Sequence, residues 1–530
     1  MIAIAMAEPV HIVAFTSAGW GHIISLLQLS LSLLGSHDRL HVTILCTAES
    51  HTKVLKQLDR HRHLSPEVRR RVQVLCTKEE ARPACVPEDW VEPTAVNAPG
   101  AAAILEDLIL VKGNGAVGDR FRITPRIIIY DLFQSATPLT IRALEEILGV
   151  PHIPCLYLTP VPTSIMLRFA PTYSSPSSRT TGRSEWDSYT GISDRFDRFK
   201  AQGMPDEEAF IAAWQNAERK LIVAPGLPPM YDYEYHPQVW AQSWPPGMTK
   251  RIEAIGEDYK NADGYITFGV RELEPWDNDV FQEVLGSIPL YPVGAQLGND
   301  VWADDHPAVR TSYSEDERKV IDFLDQMQAE RGQRSVAFVS LGSVCWPIRR
   351  PELIQYLVES LLAADIPFLF ATASRFTQLD QDLRTKVEAG GKGMIVPWVP
   401  QNTVLQHPAV RFFLTHCGSG SVVEAITAEM PIVAWPYVGD QTIWARQPGV
   451  ELHQVKSGMR GKPLGIGGLV EETEAAIKRE MAEAWGAMMN DQRYEGFKTE
   501  MREIKRIVGA SAQCGESRKA MDRILQKYLS

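Results

Sequence analysis

Residues 398–441 read WVPQNTVLQHPAVRFFLTHCGSGSVVEAITAEMPIVAWPYVGDQ, and the order of their parts decides the fold. An apolar, β-rich run, RFFLTH, feeds a turn of small residues, and the turn opens a helix near Ser421. A strand that enters a helix through such a turn aims unpaired backbone N–H groups and the positive helix end at one spot, which suits a diphosphate. His416, Gly418, Gly420 and Ser421 surround that spot as side-chain or backbone donors. Glu424 lies three residues into the helix on the loop side, where a carboxylate can accept ribose hydroxyls. Trp398, followed by Val399 and Gln401, ends an earlier strand and offers a flat face for a base. Asp440 and Gln441 follow the next strand and can bond sugar hydroxyls, with Trp435 close by. These residue types in this order fit a nucleotide diphosphate sugar.

Outward from this stretch, short β-branched or aromatic runs alternate with helical runs, the pattern of parallel sheets with crossover helices. VHIVAFT (10–16), HVTILCT (41–47), VQVLCT (72–77), RIIIYDLF (126–133), HIPCLYLT (152–159) and GYITFG (264–269) read as strands, with GYITFG the last of the first half. SVAFVSLGS (335–343), PFLFATAS (367–374), GMIVPWV (393–399), RFFLTH (411–416) and PIVAWPY (431–437) read as the strands of a second half. Residues 296–315 are polar and aperiodic, the signature of a linker. The fold class is therefore α/β, with two Rossmann-like doubly wound domains expected to face each other across a cleft at the carboxyl ends of their sheets. Boundaries fall at 1–295, 296–315, 316–510 and 511–530. The Ser-, Thr- and Pro-rich stretch 160–188 reads either as a surface loop or as a lid over a pocket.

The first strand ends in FTSAGWGHI, where Gly19 and Gly21 bracket Trp20 and His22 opens a helix. A helix N-terminus disfavours the charged imidazole, which keeps such a His able to accept a proton. Asp131 closes RIIIYD, an apolar run that reads as a buried strand, so its carboxylate lies on the ligand side of the sheet. It can accept the second ring N–H of His22, fix the tautomer and stabilise the imidazolium. Deprotonation of an acceptor hydroxyl during group transfer needs such a pair. Trp20 is a candidate acceptor contact.

Composition narrows the alternatives. The chain has 530 residues, 45% hydrophobic and 22% charged, so a large core and several domains are expected. A net charge of −11 argues against a nucleic-acid partner. RHRHLSPEVRRR (60–71), the most basic stretch, reads as a solvated face. No run of 18 apolar residues occurs, so no membrane span is expected. Seven scattered Cys without a C-x-x-C pair fit a reducing, cytoplasmic setting. GNGAVG (113–118) satisfies G-x-G-x-x-G, but a strand and not a helix follows it. His37, His41, His61 and His63 lack partners at ligand spacing, so no metal is expected.

The 44 residues from Trp398 to Gln441 resemble the donor signature of the plant-type UDP-glycosyltransferases, family-one inverting enzymes of the GT-B fold. Trp398, Pro400, Gln401, Leu405, His407, Phe412, His416, Cys417, Gly418, Ser421, Glu424, Pro431, Trp435, Pro436, Asp440 and Gln441 match at fixed spacing. Ser419-Gly420 stands where that family has Trp-Asn, and Glu429 where it has Gly. The resemblance extends to His22 and Asp131 as the catalytic pair and to Gly342-Ser343 as a contact of the donor phosphates. It implies that the last helix, from about residue 511, crosses back onto the N-terminal half. It also implies transfer of a hexose or pentose, with Gln441 favouring UDP-glucose, to a hydroxyl of a small apolar acceptor such as a flavonoid, terpenoid or sterol. A UDP-sugar would be the only co-substrate, and the chain a monomer. The alternatives are a sugar-nucleotide epimerase and a non-catalytic sugar-nucleotide-binding subunit.

Overall fold

The structure is a computed structural model that describes residues 8–17, 19–60, 65–77, 100–111, 121–166, 192–215, 221–222, 230–231, 259–297, 313–343, 345–348, 350–374, 376–437, 440–445, 453–454 and 473–530. The GNGAVG stretch, His61, His63 and most of the 160–188 and 296–315 segments lie outside the described residues. The chain divides into two compact units. Unit 1 comprises Met1–Gly182, Trp244–Asn299 and Ala510–Ser530, and unit 2 comprises Arg183–Ser243 and Asp300–Gly509. Arg183–Ser243, kept with the first domain in the sequence reading, thus groups with unit 2. Its described part has two helices, Ile192–Ala201 and Asp206–Gln215, pinned by the Arg195 Nε bond to the Ala213 carbonyl at 2.8 Å. Helices of either domain look alike in sequence, so their periodicity cannot say which sheet they serve.

Unit 1 is built on seven parallel strands. They are β1 (Val10–Phe15), β2 (Leu40–Cys46), β3 (Val72–Cys76), β4 (Ile127–Asp131), β5 (Cys155–Thr159), β6 (Gly264–Thr267) and β7 (Leu290–Pro292), in the order β3-β2-β1-β4-β5-β6-β7. The seventh strand corrects the reading of GYITFG as the last one. Its three residues, the last of them Pro292, are too few to show a period, and pairing with β6 is what makes them a strand. Both faces of a parallel sheet are covered, which is why IIIYD and CLYLT are buried at every position instead of alternating. Leu26, Leu27, Leu33 and Leu34 of α1 (Trp20–Ser36) pack in the same core as Ile12, Ile44 and Ile129. Ala520, Met521, Ile524, Tyr528 and Leu529, near the carboxyl end, belong to that core as well. The Tyr528 hydroxyl donates to the Asp263 carbonyl at 3.1 Å.

Apart from an antiparallel pair, Leu221–Ile222 with Met230–Tyr231, unit 2 carries a main sheet of six parallel strands. These are β8 (Val336–Ser340), β9 (Phe368–Ala371), β10 (Gly393–Val396), β11 (Val410–Thr415), β12 (Ile432–Ala434) and β13 (His453–Gln454), in the order β10-β9-β8-β11-β12-β13. Its first helix, α2 (Glu315–Arg331), starts in a capping box in which Ser314 and Glu317 satisfy each other's backbone N–H. Each sheet has a switch point, between β1 and β4 in unit 1 and between β8 and β11 in unit 2. At such points neighbouring connections leave toward opposite faces and open a crevice at the carboxyl edge.

Candidate functional site

In unit 1 the switch point holds His22 and Asp131. The parallel register pairs Phe15 of β1 with Tyr130 of β4, so both strands end at the same edge. The chain turns through Gly19, the N-cap of α1, and His22 follows as the third helical residue. Its Nδ1 lies 2.6 Å from Asp131 Oδ2, with Asp131 fully buried and the His22 side chain 25% exposed. The other carboxylate oxygen accepts the Phe133 N–H at 3.0 Å, and the Phe133 ring packs against the imidazole at 5.0 Å between centroids. Nδ1 thus faces the carboxylate and Nε2 is the ring's other nitrogen. Phe133 was missed in the sequence. Its signal is its place two residues beyond Asp131, where the strand has just ended. Trp20 is partly buried and packs against the unit 1 core.

In unit 2 the β8 and β11 edges, paired Ser340 to Thr415, bring the loops of Ser343 and His416 together. Ser343 is exposed and His416 partly buried. Burial pushes the His416 imidazole down to about 4, against a hydrogen bond with the Ser340 carbonyl, so the ring is neutral near pH 7. Gly418 caps α3 (Ser419–Thr427) and brings no side chain of its own to that helix end. Its first-turn N–H groups are the ones a diphosphate could take. The Ser419 N–H meets Asp440 Oδ2 at 3.2 Å, which ties Asp440 to this helix end.

Glu424 sits on the loop side of α3. Gln401, at the start of the helix Gln401–Gln406, donates to Glu424 Oε2 and lies 3.4 Å from the Ser421 hydroxyl. Burial pushes the Glu424 carboxyl up to about 7, with the Gln401 bond pulling the other way. Trp398, two residues past β10, is 46% exposed, an open aromatic face. Val399 beside it is buried.

Two expected donor contacts are corrected. Trp435 is fully buried in the unit 2 core and stacked on Tyr437, so it packs instead of meeting a ligand. A strand-end aromatic near polar residues reads the same in sequence whether it faces in or out. Gln441 is also buried. Its Oε1 accepts the Tyr437 N–H at 2.8 Å and its Nε2 lies 3.4 Å from Cys345 Sγ, so the carboxamide braces the loop between β12 and the helix Asp440–Trp444. Glu429 has φ +53°, a left-handed position that favours glycine. Lys505 and Arg502, each 3.2 Å from its carboxylate, hold it there. Among the described residues no group of His, Cys, Asp or Glu is arranged to hold a metal, and no helix is long and apolar enough to cross a membrane.

Residues 315–456 match the family described as UDP-glucoronosyl and UDP-glucosyl transferase. The UDP-glycosyltransferase eriJ of Hericium erinaceus is 30% identical over 243 residues, 45% of this chain and 46% of that protein. Anthocyanidin 3-O-glucosyltransferase 2 of Fragaria ananassa is 40% identical over 130 residues, 24% of this chain and 26% of that one. The chain thus spans less than half the length of these curated relatives. In fold the likeness runs throughout. A ugt transferase from Siraitia grosvenorii in complex with UDP superposes with a TM-score of 0.64 at 17% identity, covering 98% of this chain and 100% of that one. The relatives matched in sequence are UDP-glycosyltransferases, and the fold is GT-B.

Proposed function

We propose, from that family match in unit 2 and that fold throughout, that the chain is an inverting UDP-glycosyltransferase acting on a hydroxyl of a small apolar acceptor. Unit 2 holds the donor, with the α3 N-terminus and His416 on the diphosphate, Glu424 on the ribose and Trp398 on the base. Ser343, Gly418, Gly420 and Ser421 line the same loops. Glucose is the proposed sugar, supported by the glucosyltransferases among the relatives and not by Gln441, and flavonoid-, terpenoid- or sterol-like molecules are the proposed acceptors. The observation that carries the reading is the 2.6 Å contact between His22 Nδ1 and Asp131 Oδ2. A binding subunit has no use for a carboxylate-oriented imidazole, and an epimerase has no acceptor hydroxyl to deprotonate.

In the proposed reaction the acceptor oxygen attacks the anomeric carbon as its proton passes to His22 Nε2. Asp131 stabilises the imidazolium so formed. The bond from the anomeric carbon to the diphosphate breaks, UDP departs with the electron pair, and the helix N-terminus stabilises its charge. One displacement inverts the anomeric centre. No metal has a part in this scheme, and the protein acts as a monomer. A cytoplasmic setting is proposed from the seven scattered Cys without a C-x-x-C pair.

The test is His22→Ala, with several UDP-sugars offered against a panel of phenolic, terpenoid and sterol acceptors. Transfer should fall by about 10²–10⁴-fold while UDP binding persists. A variant within about tenfold of the wild-type rate would remove His22 as the base.

A further inference from the structure

We infer that Gly342 and Gly418 are positioning residues: together they form a side-chain-free slot that holds the His416 ring, and affinity for the donor's diphosphate depends on that slot. The inference rests on the reading of His416 as a diphosphate contact.

The two glycines come from different loops of the unit 2 switch point. Gly342 follows β8 and Gly418 follows β11. A Cβ on Gly342 would lie 2.6 Å from His416 Cε1 and 2.7 Å from Nε2. A Cβ on Gly418 would lie 2.5 Å from Nε2. Carbon atoms pack at about 3.5–4.0 Å, so either methyl group would require the ring to move by about 1 Å. The ring is held on its other side, where Thr415 Oγ1 lies 3.3 Å from Nδ1 and the Ser340 carbonyl hydrogen-bonds the imidazole. Displacement therefore goes away from the place where Nε2 now sits. A hydrogen bond tolerates only about 2.7–3.2 Å between heavy atoms, so a shift of that size breaks it.

Backbone conformation separates the two positions. Gly342 has φ +71°, which favours glycine whatever stands nearby. Gly418 has φ −63° and ψ 146°, an extended conformation open to any residue. Nothing in its backbone calls for glycine, and the His416 ring is the obstacle to a side chain. Gly420, two residues on, makes the contrast, since a Cβ there would meet nothing within 4 Å. Close approach of an aromatic edge, and not helix-entry geometry, accounts for glycine at 418.

The experiment is a double-mutant cycle of Gly418→Ala and His416→Ala, with UDP and uridine titrated into each variant by calorimetry. Gly418→Ala should weaken UDP by about ten- to a hundredfold, the worth of one hydrogen bond to a charged group, and leave uridine binding nearly unchanged. In the His416→Ala background the same change should cost UDP affinity nothing further, because the slot is empty. Losses that simply multiply, or an equal loss for uridine, would overturn the slot while leaving the diphosphate contact standing. Wild-type UDP affinity in His416→Ala would instead remove the contact, and the slot's role with it. Should Gly418→Ala fail to fold, the double variant should fold again, and its failure to do so would also refute the inference.

Discussion

Asp131→Asn isolates the part that orientation plays at the unit 1 site. The carboxylate uses both oxygens, Oδ2 toward His22 Nδ1 at 2.6 Å and Oδ1 from the Phe133 N–H at 3.0 Å. Asparagine is isosteric, so the fold should survive. Its carbonyl oxygen must face the Phe133 N–H, because two donors would otherwise meet in a fully buried place. The amide NH₂ then points at His22 Nδ1, which must become the acceptor. The ring proton moves to Nε2, the nitrogen that in the proposed reaction receives the proton of the acceptor hydroxyl. The variant thus holds its base in the wrong tautomer and has no negative charge to steady the imidazolium. Loss of both should cost about 10³–10⁴-fold in turnover, or about 4–5.5 kcal/mol at 1.4 kcal/mol per decade. Initial rates with a saturating UDP-sugar and an alkyl alcohol acceptor measure it, with UDP titration confirming an intact unit 2. A phenolic acceptor assayed at higher pH should narrow the gap, because the hydroxyl ionises without help. A rate within about tenfold of wild type for the alcohol would refute the orienting role, and so would an equal deficit for both acceptors at every pH.

Other outcomes follow from unit 2. Glu424, raised to about 7 by burial, is largely protonated at pH 6 and ionised at pH 8, and the carboxylate is the better acceptor for ribose hydroxyls. UDP affinity should therefore rise across that window, and Glu424→Gln should flatten the rise, which separates it from titration of the phosphate itself; an identical slope in the variant would remove Glu424 from the ribose. Trp398→Ala should weaken both UDP and uridine by about 1–3 kcal/mol if its open face stacks on the base, and unchanged calorimetric affinity would leave it a surface residue. Gln441→Ala deprives the buried Tyr437 N–H of its acceptor, so it should destabilise unit 2 by about 1–3 kcal/mol. A thermal melt that does not move would argue that Gln441 is held for a ligand and not for the loop.

Much of this protein could be read along the chain. Parallel strands buried on both faces appear as unbroken apolar runs, so eleven of the strands of the two sheets, together with the small-residue turn into α3, were legible as local patterns. The pairing of His22 with Asp131 could be anticipated because Asp131 closes one apolar run and His22 opens the helix that follows another, and the carboxyl ends of strands share one edge. Direction was not legible. Trp435 and Gln441 stand among ligand-type residues in sequence, yet Trp435 is buried in the unit 2 core and Gln441 turns to Cys345, which comes from a distant loop. Membership was not legible either, since the helices of 183–243 carry no mark of the unit they join. The sequence by itself determined which segments are strands, where the turns fall and which polar groups stand at their ends, since those depend on neighbours a few residues away. Only the tertiary structure decided which of those groups meet and what surrounds them. His416 shows the difference, because its ring lies between glycines of two separate loops, and burial, a property of the packed chain, leaves it uncharged.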